Sequence, residues 1–348
     1  GRKILSSLRD IHGVKERIFT FVCQIYFMHT AVGTDILQAA NFLKSGELVA
    51  IPTETVYGLA ANGFDPIAVA KIFEVKKRPT FDPLIVHSDS IEKIAQFTTL
   101  IPERAKHMMQ HFWPGPLTIL LEKKAIVPEL TTSGLTSVAC RIPDHPLTLA
   151  LLKTLDFPVA APSANPFGYI SPTSAQHVAD QLGDKIDYIL DGGQAMVGIE
   201  STILSFLEQE PKVLRLGGLS IEEIEDEIGT VNVATHSSSQ PAAPGMLKSH
   251  YAPKKTIALL EDINLHDITD YAEFGALMFD QALAVIPSKN QFILSPSGQI
   301  KEAAKNLFKG LRTLDENEEI HTIITQFVPE EGLGSAINDS LRRVTSKN

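Results

Sequence analysis

Cysteine is scarce in this chain: 348 residues carry two, Cys23 and Cys140, far apart and without a partner pattern. That excludes a disulfide framework and a thiolate metal site, and makes a reducing, cytoplasmic setting the expectation. Long apolar runs are also lacking. The longest, Ile18 to Phe27, is broken by Thr20 and Gln24, well short of the ~20 residues of a membrane span. Arg2, Lys3, Arg9, Lys15 and Arg17 precede it, but the interrupted run and the want of a small-residue cleavage site argue against a signal peptide. No membrane association is expected. Neither a Walker A sequence nor a G-x-G-x-x-G fingerprint occurs, and no internal repeat, so P-loop and classical dinucleotide readings fall away. Positive charge is in deficit, with 31 basic against 41 acidic side chains and a net charge of -10. Such a surface repels a polyanion, so stable tRNA binding is not expected, though a local basic pocket is compatible.

What is present is enough apolar residue for a sizeable core, 44% of the chain, in a length that suggests two domains. Val49 to Ala60 reads as a buried strand meeting Pro52 and a polar cluster, Thr53, Glu54, Thr55 and Tyr57. Thr34 is a candidate cap for a helix ending near Gly46, and Asp65-Pro66 opens a helix that ends before Pro79. Strands are expected at 84–87, 117–121, 138–142, 159–161, 188–190, 202–206 and 213–216, with helices at 102–111, 145–155 and 173–182 between them. Taken alone, Ser171 or Thr173 is an N-cap of the last of these helices. Ser220 and Glu223 form a capping box. The fold class is therefore α/β, a large mixed sheet with helices, followed by a small C-terminal α/β domain with a Rossmann-like layout. Its strands are expected at 256–260, 276–279, 292–294 and 322–327, with a helical face of Ile300, Ala303, Ala304, Leu307, Phe308 and Leu311. The expected domains are 28–230 and 256–348, joined by a linker over 231–255. Residues 1–27 have no assigned role.

The order Pro-Thr-Glu-Thr-Val-Tyr-Gly-Leu (52–59), Lys76-Lys77-Arg78-Pro79, Pro-Leu-Ile-Val-His (83–87), Trp-Pro-Gly-Pro-Leu-Thr (113–118), Arg141-Ile142-Pro143, Pro-Ser-Ala-Asn (162–165), Ser171-Pro172-Thr173 and Glu-Ser-Thr-Ile (200–203) resembles the YrdC-type threonylcarbamoyl-AMP synthases. Pro244-Gly245-Met246 and His250-Tyr251-Ala252-Pro253 resemble the long form of that family, with a linker and an extra C-terminal domain. The resemblance implies that Lys76 and Arg78 contact the ATP phosphates and are the catalytic cations. A point charge and a bidentate guanidinium suit a triphosphate, although the residues alone read as a solvated basic cluster. It places Thr53, Tyr57, His87, Thr118, Arg141 and Ser201 near L-threonine, and Ser163, Asn165, Ser171, Arg215, His250 and Tyr251 near ATP. Each has a plainer reading. His87 could be a core histidine, Arg141 could pair with an internal carboxylate instead of substrate, Glu54 could be structural or hold a metal, and the Trp-Pro-Gly-Pro turn serves chiefly to aim the next strand. Phe167 stands where the family more often has a small hydroxyl residue.

The implied reaction joins L-threonine, bicarbonate or CO2 and ATP into threonylcarbamoyl-AMP and pyrophosphate, with Mg2+ held by the ATP phosphates. The product passes to a tRNA threonylcarbamoyl transferase for the t6A modification. A carbamate is already anionic, so positioning and charge neutralisation suffice and no side-chain nucleophile is required. Rival readings are a non-catalytic nucleotide- or RNA-binding module, and a carbamoyl-phosphate hydrolase domain, which would need Cys-pair domains missing here. Two further expectations complete the reading. Arg78→Ala should weaken ATP use far more than the fold, and the linker should fold back as a lid with His250 or Tyr251 on ATP or threonine.

Overall fold

The computed structural model describes residues 30–235, 241–246 and 253–345. Several helices begin where a side chain satisfies their unpaired N–H groups. Asp35 accepts from Leu37 and Gln38 to open α1 (Ile36–Lys44), one residue after the expected Thr34. Asp65 accepts from Ile67, with Pro66 in the first turn of α2 (Pro66–Lys76). Next come α3 (Ile91–Phe97), α4 (Glu103–Phe112), α5 (Glu129–Thr132), α6 (Pro146–Lys153), α7 (Ala175–Leu182), α8 (Ile221–Ile228), α9 (Ile300–Glu316) and α10 (Gly334–Thr345). Ser174 caps α7, in place of Ser171 or Thr173. The Ser220–Glu223 capping box at α8 is as expected.

The first sheet contains β1 (Ala31–Gly33), β2 (Val49–Ile51), β3 (Gly58–Asn62), β4 (Ile85–His87), β5 (Leu117–Glu122), β6 (Ser137–Arg141), β7 (Val159–Ala160), β8 (Tyr188–Leu190), β9 (Thr202–Ser205), β10 (Lys212–Arg215) and β11 (Asn232–Val233). Their order is β1-β8-β2-β3-β7-β4-β6-β5-β9-β10-β11, with parallel and antiparallel pairings mixed, as the sequence leads one to expect. The expected strand ends at Ile51 and the polar cluster lies where the chain turns, as read; what the sequence did not show is that the chain returns at once as a second strand, β3 pairing antiparallel with β2 from Val49↔Ala60 to Ile51↔Gly58. Gly58 allows the close approach there, since a Cβ would lie 3.2 Å from that of Ala161.

The second sheet is wholly parallel, β12 (Thr256–Leu259), β15 (Thr322–Thr325), β13 (Phe274–Met278) and β14 (Gln291–Ile293) in that order. Parallel strands need crossovers and covered faces, and α9 buries Ala303, Ala304, Leu307, Phe308 and Leu311. That apolar face does more than close its own sheet. Val56, Ile170 and Ile199, from three loops of the first domain, are buried in the same cluster. Gly198 meets α9 so closely that a Cβ would lie 2.4 Å from the Lys305 Cα.

Candidate active site

Neighbouring strands finish at one edge of the large sheet, and in α/β proteins ligands bind beyond such ends. Parallel β4 and β6 end side by side on His87 and Arg141. Ser201 immediately precedes β9, and Arg215 closes the adjoining β10. Together with the 53–58 and 161–163 loops they line a cavity, completed by Arg78, Glu200, Pro244 and Gly245. The space inside it for water-sized molecules is about 50 Å³.

Lys76 and Arg78 come into the interior because of the residue between them. Lys77 adopts a left-handed conformation (φ 52°) at the end of α2, which leaves it exposed and turns its neighbours inward; Lys76 is 1% and Arg78 7% exposed. The basic run is therefore not a solvated cluster. Lys76 does not line the cavity, however. Its Nζ donates to the carbonyls of Ser163 and Asn165, beneath the turn that does. Burial, and next the nearby Arg78, hold its pKa well below the ordinary lysine value. Arg78 faces the cavity while its Nε donates to Asp82 O at 3.0 Å, its Nη2 donates to Pro83 O at 2.7 Å, and Nη2 lies 2.9 Å from Asp82 Oδ2. The ring of Phe167 lies 5.8 Å from its Cζ, so Phe167 contributes an aromatic face to this arginine.

Arg141 has an internal carboxylate partner: Glu54 Oε1 accepts from its Nη2 at 2.5 Å, and Gly115 O from its Nε at 3.1 Å. Glu54 Oε2 also accepts from the Asp144 N–H at 2.9 Å. Glu54 is thus structural, and the Trp-Pro-Gly-Pro turn, besides aiming β5, supplies a carbonyl that orients Arg141. Arg215 differs from the other two. Its Nε donates to Ser201 O and its Nη2 to Ser201 Oγ, both at 3.0 Å, and its Nη1 to Pro244 O at 3.4 Å. All three acceptors are uncharged.

His87 is buried, its Nδ1 has no hydrogen-bond partner among the described residues, and burial, reinforced by Arg141 and then Arg215, lowers its pKa to about 3. It is a neutral imidazole on the cavity wall. Thr53 lines the cavity, but its hydroxyl donates to Val56 O at 2.6 Å and accepts from the N–H groups of Thr55 and Val56 at 3.2 Å, closing its own loop.

Five expected contacts lie outside the lining. Tyr57 is fully buried; its hydroxyl donates to Gly193 O at 2.7 Å and accepts from Gly192 N at 3.1 Å. Thr118 sits behind Ser201, with the two hydroxyls 2.7 Å apart. Ser171 donates to Glu200 Oε1 at 2.5 Å. Asn165 uses its amide on Pro166 O and Tyr169 O. Lys76 is the fifth. His250 and Tyr251 lie outside the described residues. Thr55 of the polar cluster and Pro244 and Gly245 of the linker motif also line the cavity, and so does Glu200, which was not singled out; it adjoins Ser201 in a quoted motif, and nothing local showed that it would face arginines.

Three arginines from separate parts of the chain around one polar cavity define an α/β protein built to handle an anion. The comparisons agree. Residues 41–217 match the Sua5/YciO/YrdC family model, described as "Telomere recombination", and residues 219–346 match "Threonylcarbamoyl-AMP synthase, C-terminal domain". The chain is 42% identical over 318 residues to the threonylcarbamoyl-AMP synthase of Pyrococcus abyssi, covering 88% of this chain and 93% of that protein. It is 42% identical over 320 residues to the enzyme of the same name from Bacillus subtilis, covering 88% and 92%. A crystal structure of P. abyssi Sua5 complexed with L-threonine aligns with TM-score 0.84 and 38% identity over 91% of this chain and 97% of that one. The chain belongs to the threonylcarbamoyl-AMP synthase family, enzymes that transfer AMP, and is a nucleotidyltransferase.

Proposed function

We propose that the cavity binds L-threonine, bicarbonate or CO2, and ATP, and releases threonylcarbamoyl-AMP and pyrophosphate. The observation that carries this is Arg215, a buried guanidinium on the cavity wall whose partners among the described residues are all uncharged acceptors, beside two arginines already paired to carboxylates. A buried charge without a matching one in contact calls for an anionic ligand. The threonine amine attacks CO2 to give a carbamate, losing a proton, and a carbamate oxygen then bonds to the α-phosphorus while the bond to pyrophosphate breaks. Charge builds on the departing pyrophosphate, where Arg78 and Arg215 are set to neutralise it. Arg141, backed by Glu54, and the neutral His87 are available to the threonine end. Thr53 and Ser201 shape the wall between them, and Ser163 is the candidate for the ribose.

Mg2+ fits this set as a companion of the nucleotide. One carboxylate, Glu200, lines the cavity, so the ion would take most of its oxygens from phosphates and water, as Mg2+ favours. Its contribution is charge neutralisation on the triphosphate. The product then passes to a tRNA threonylcarbamoyl transferase for t6A. Pro244 and Gly245 belong to the linker and cover the cavity, with Ala243 and Met246 buried against Ile85, Leu120, Ala139, Ile203 and Leu214. With about 50 Å³ inside, against the roughly 300–1,000 Å³ of small-molecule pockets, the linker must lift for ATP to enter and close again to shield a labile adenylate.

The test is incubation with labelled bicarbonate, threonine and ATP. Pyrophosphate release should require threonine and bicarbonate together, with label in a threonylcarbamoyl adenylate. Serine should be the nearest competitor, since a missing methyl is worth only ~1–3 kcal/mol. Equal release without threonine would overturn the reading.

A further inference from the structure

The cavity wall at Pro162 and Ser163 continues into a loop that ends at Ser171, and this loop is tied to the second domain by polar contacts on α9. Arg312 donates from Nη2 to Ile170 O at 2.9 Å, and its guanidinium sits 5.5 Å from the centre of the Tyr169 ring. One turn on, Asp315 Oδ2 accepts from the Tyr169 hydroxyl at 2.5 Å. Its other oxygen, Oδ1, accepts from the N–H groups of Lys254 and Lys255 at 2.8 and 3.0 Å. A single carboxylate thus joins a loop of the first domain, the exit of the linker and the helix of the second domain.

The same contacts run on to the site. Asn165 Nδ2 donates to Tyr169 O at 2.8 Å, Asn165 O and Ser163 O accept from Lys76 Nζ, and the Phe167 N–H donates to Lys76 O at 2.8 Å. On one side the loop is anchored by apolar packing, Ile170 in the shared core with Tyr169 against it. On the other it borders a cleft of about 600 Å³, lined by Pro166, Tyr169, Arg312 and Asp315 among others, where the polar contacts of Arg312 and Asp315 hold it. Hydrogen bonds to a charged group are the stronger kind and fix direction as well as distance.

We infer that Asp315, with Arg312 and Tyr169, is a latch by which the second domain positions both the nucleotide-side wall of the cavity and the linker that covers it, making Arg312 and Asp315 positioning residues for the reaction. The inference rests on the function proposed above. A wall held in its binding arrangement only part of the time lowers apparent affinity by that fraction. Loosening the latch therefore raises KM for ATP and leaves kcat nearly unchanged.

The experiment compares the full-length protein with Tyr169→Phe, Asp315→Asn and the double variant. It measures kcat and KM for ATP, together with hydrogen exchange of the 165–171 amides. Tyr169→Phe removes one hydroxyl and keeps the ring, so it remains informative should Asp315→Asn fail to fold. The latch predicts KM for ATP up about tenfold, the scale of one hydrogen bond to a charged group, with kcat within about threefold and faster exchange at Phe167 and Tyr169. Because Tyr169 and Asp315 share one contact, the double variant should be no worse than Asp315→Asn. Variants that melt earlier with KM for ATP and loop exchange unchanged overturn the inference, leaving a merely structural contact. Should the wild-type protein release no threonine-dependent pyrophosphate, the proposed function falls instead, and the exchange data alone then decide the latch.

Discussion

Replacing Arg78 by alanine should cost stability first, which reverses the expectation drawn from sequence for an exposed cation. The side chains of Arg78 and Asp82 are 4% and 0% exposed and 2.9 Å apart, and neither carboxylate oxygen of Asp82 accepts a hydrogen bond from the described residues. Burial is the largest influence on Asp82 and raises its pKa; Arg78, then Lys76 and Arg215, oppose it. Without Arg78 the buried carboxylate loses its contact partner. Breaking such a pair from one side costs about 3–5 kcal/mol, or roughly 6–20 °C in Tm at 2–4 °C per kcal/mol. The sign with pH follows. In the variant the folded-state pKa of Asp82 rises further above its unfolded value, so the deficit is full above that raised pKa and shrinks as acid protonates the folded carboxylate. Urea unfolding of wild type, Arg78→Ala, Asp82→Asn and the double variant from pH 7 downward measures this. The double variant should recover most of the loss, because an amide needs no counter-charge. A loss within about 1 kcal/mol at pH 7, the range of an exposed ion pair, or a deficit that acid leaves untouched, refutes the reasoning.

Three further outcomes are expected. Because the folded pKa of His87 is lowered to about 3 from 6.5, the stability it contributes is complete above pH 6.5 and is lost as pH falls toward 3; unfolding midpoints of His87→Gln should lack this component, worth up to about 1.4 kcal/mol per pH unit. Tyr57→Phe deletes a buried hydroxyl that serves Gly193 O and Gly192 N, so thermal melts should show a loss of about 1–2 kcal/mol with KM for threonine unchanged; a selective rise in that KM would restore Tyr57 to the substrate. In Gly217→Ala the new Cβ would lie 2.3 Å from Glu200 O and 2.5 Å from Ser201 C, which must displace the turn carrying both into the cavity, so steady-state kinetics should show turnover down about 100-fold in a protein whose circular dichroism stays native.

Apolar strands were legible because burial on both faces leaves continuous runs, as in Leu117–Glu122 and Ser137–Arg141. Gly58–Asn62 was not, because Gly-Leu-Ala-Ala-Asn carries no β-branched residue and owes its extension to the strands beside it. Gly334–Thr345 was passed over for a similar reason: Ser335, Asn338, Asp339 and Ser340 favour caps over helix interiors, although Ile337, Leu341 and Val344 repeat at helical spacing and are buried. In the site, motif order identified the loops that meet at the cavity. It did not reveal which side chains they spend on one another. Tyr57 turns to Gly193, Ser171 to Glu200 and Lys76 to two carbonyls, and those partners lie between 29 and 136 residues away.

Those internal commitments explain how an acidic chain keeps three arginines around one small cavity. Three bare guanidiniums there would repel one another and lose hydration with nothing in return. Asp82 and Glu54 compensate Arg78 and Arg141 from behind, fixing their direction before any ligand arrives. Arg215 is fixed differently, by the Ser201 carbonyl and hydroxyl and by Pro244 of the linker. Its charge is therefore oriented with no carboxylate bonded to it among the described residues, and a positioned cation acts most strongly on charge that develops during reaction. Because one of its acceptors belongs to the covering linker, anything that lifts the linker also loosens Arg215. On the closure proposed above, covering the cavity and placing this charge would be one event.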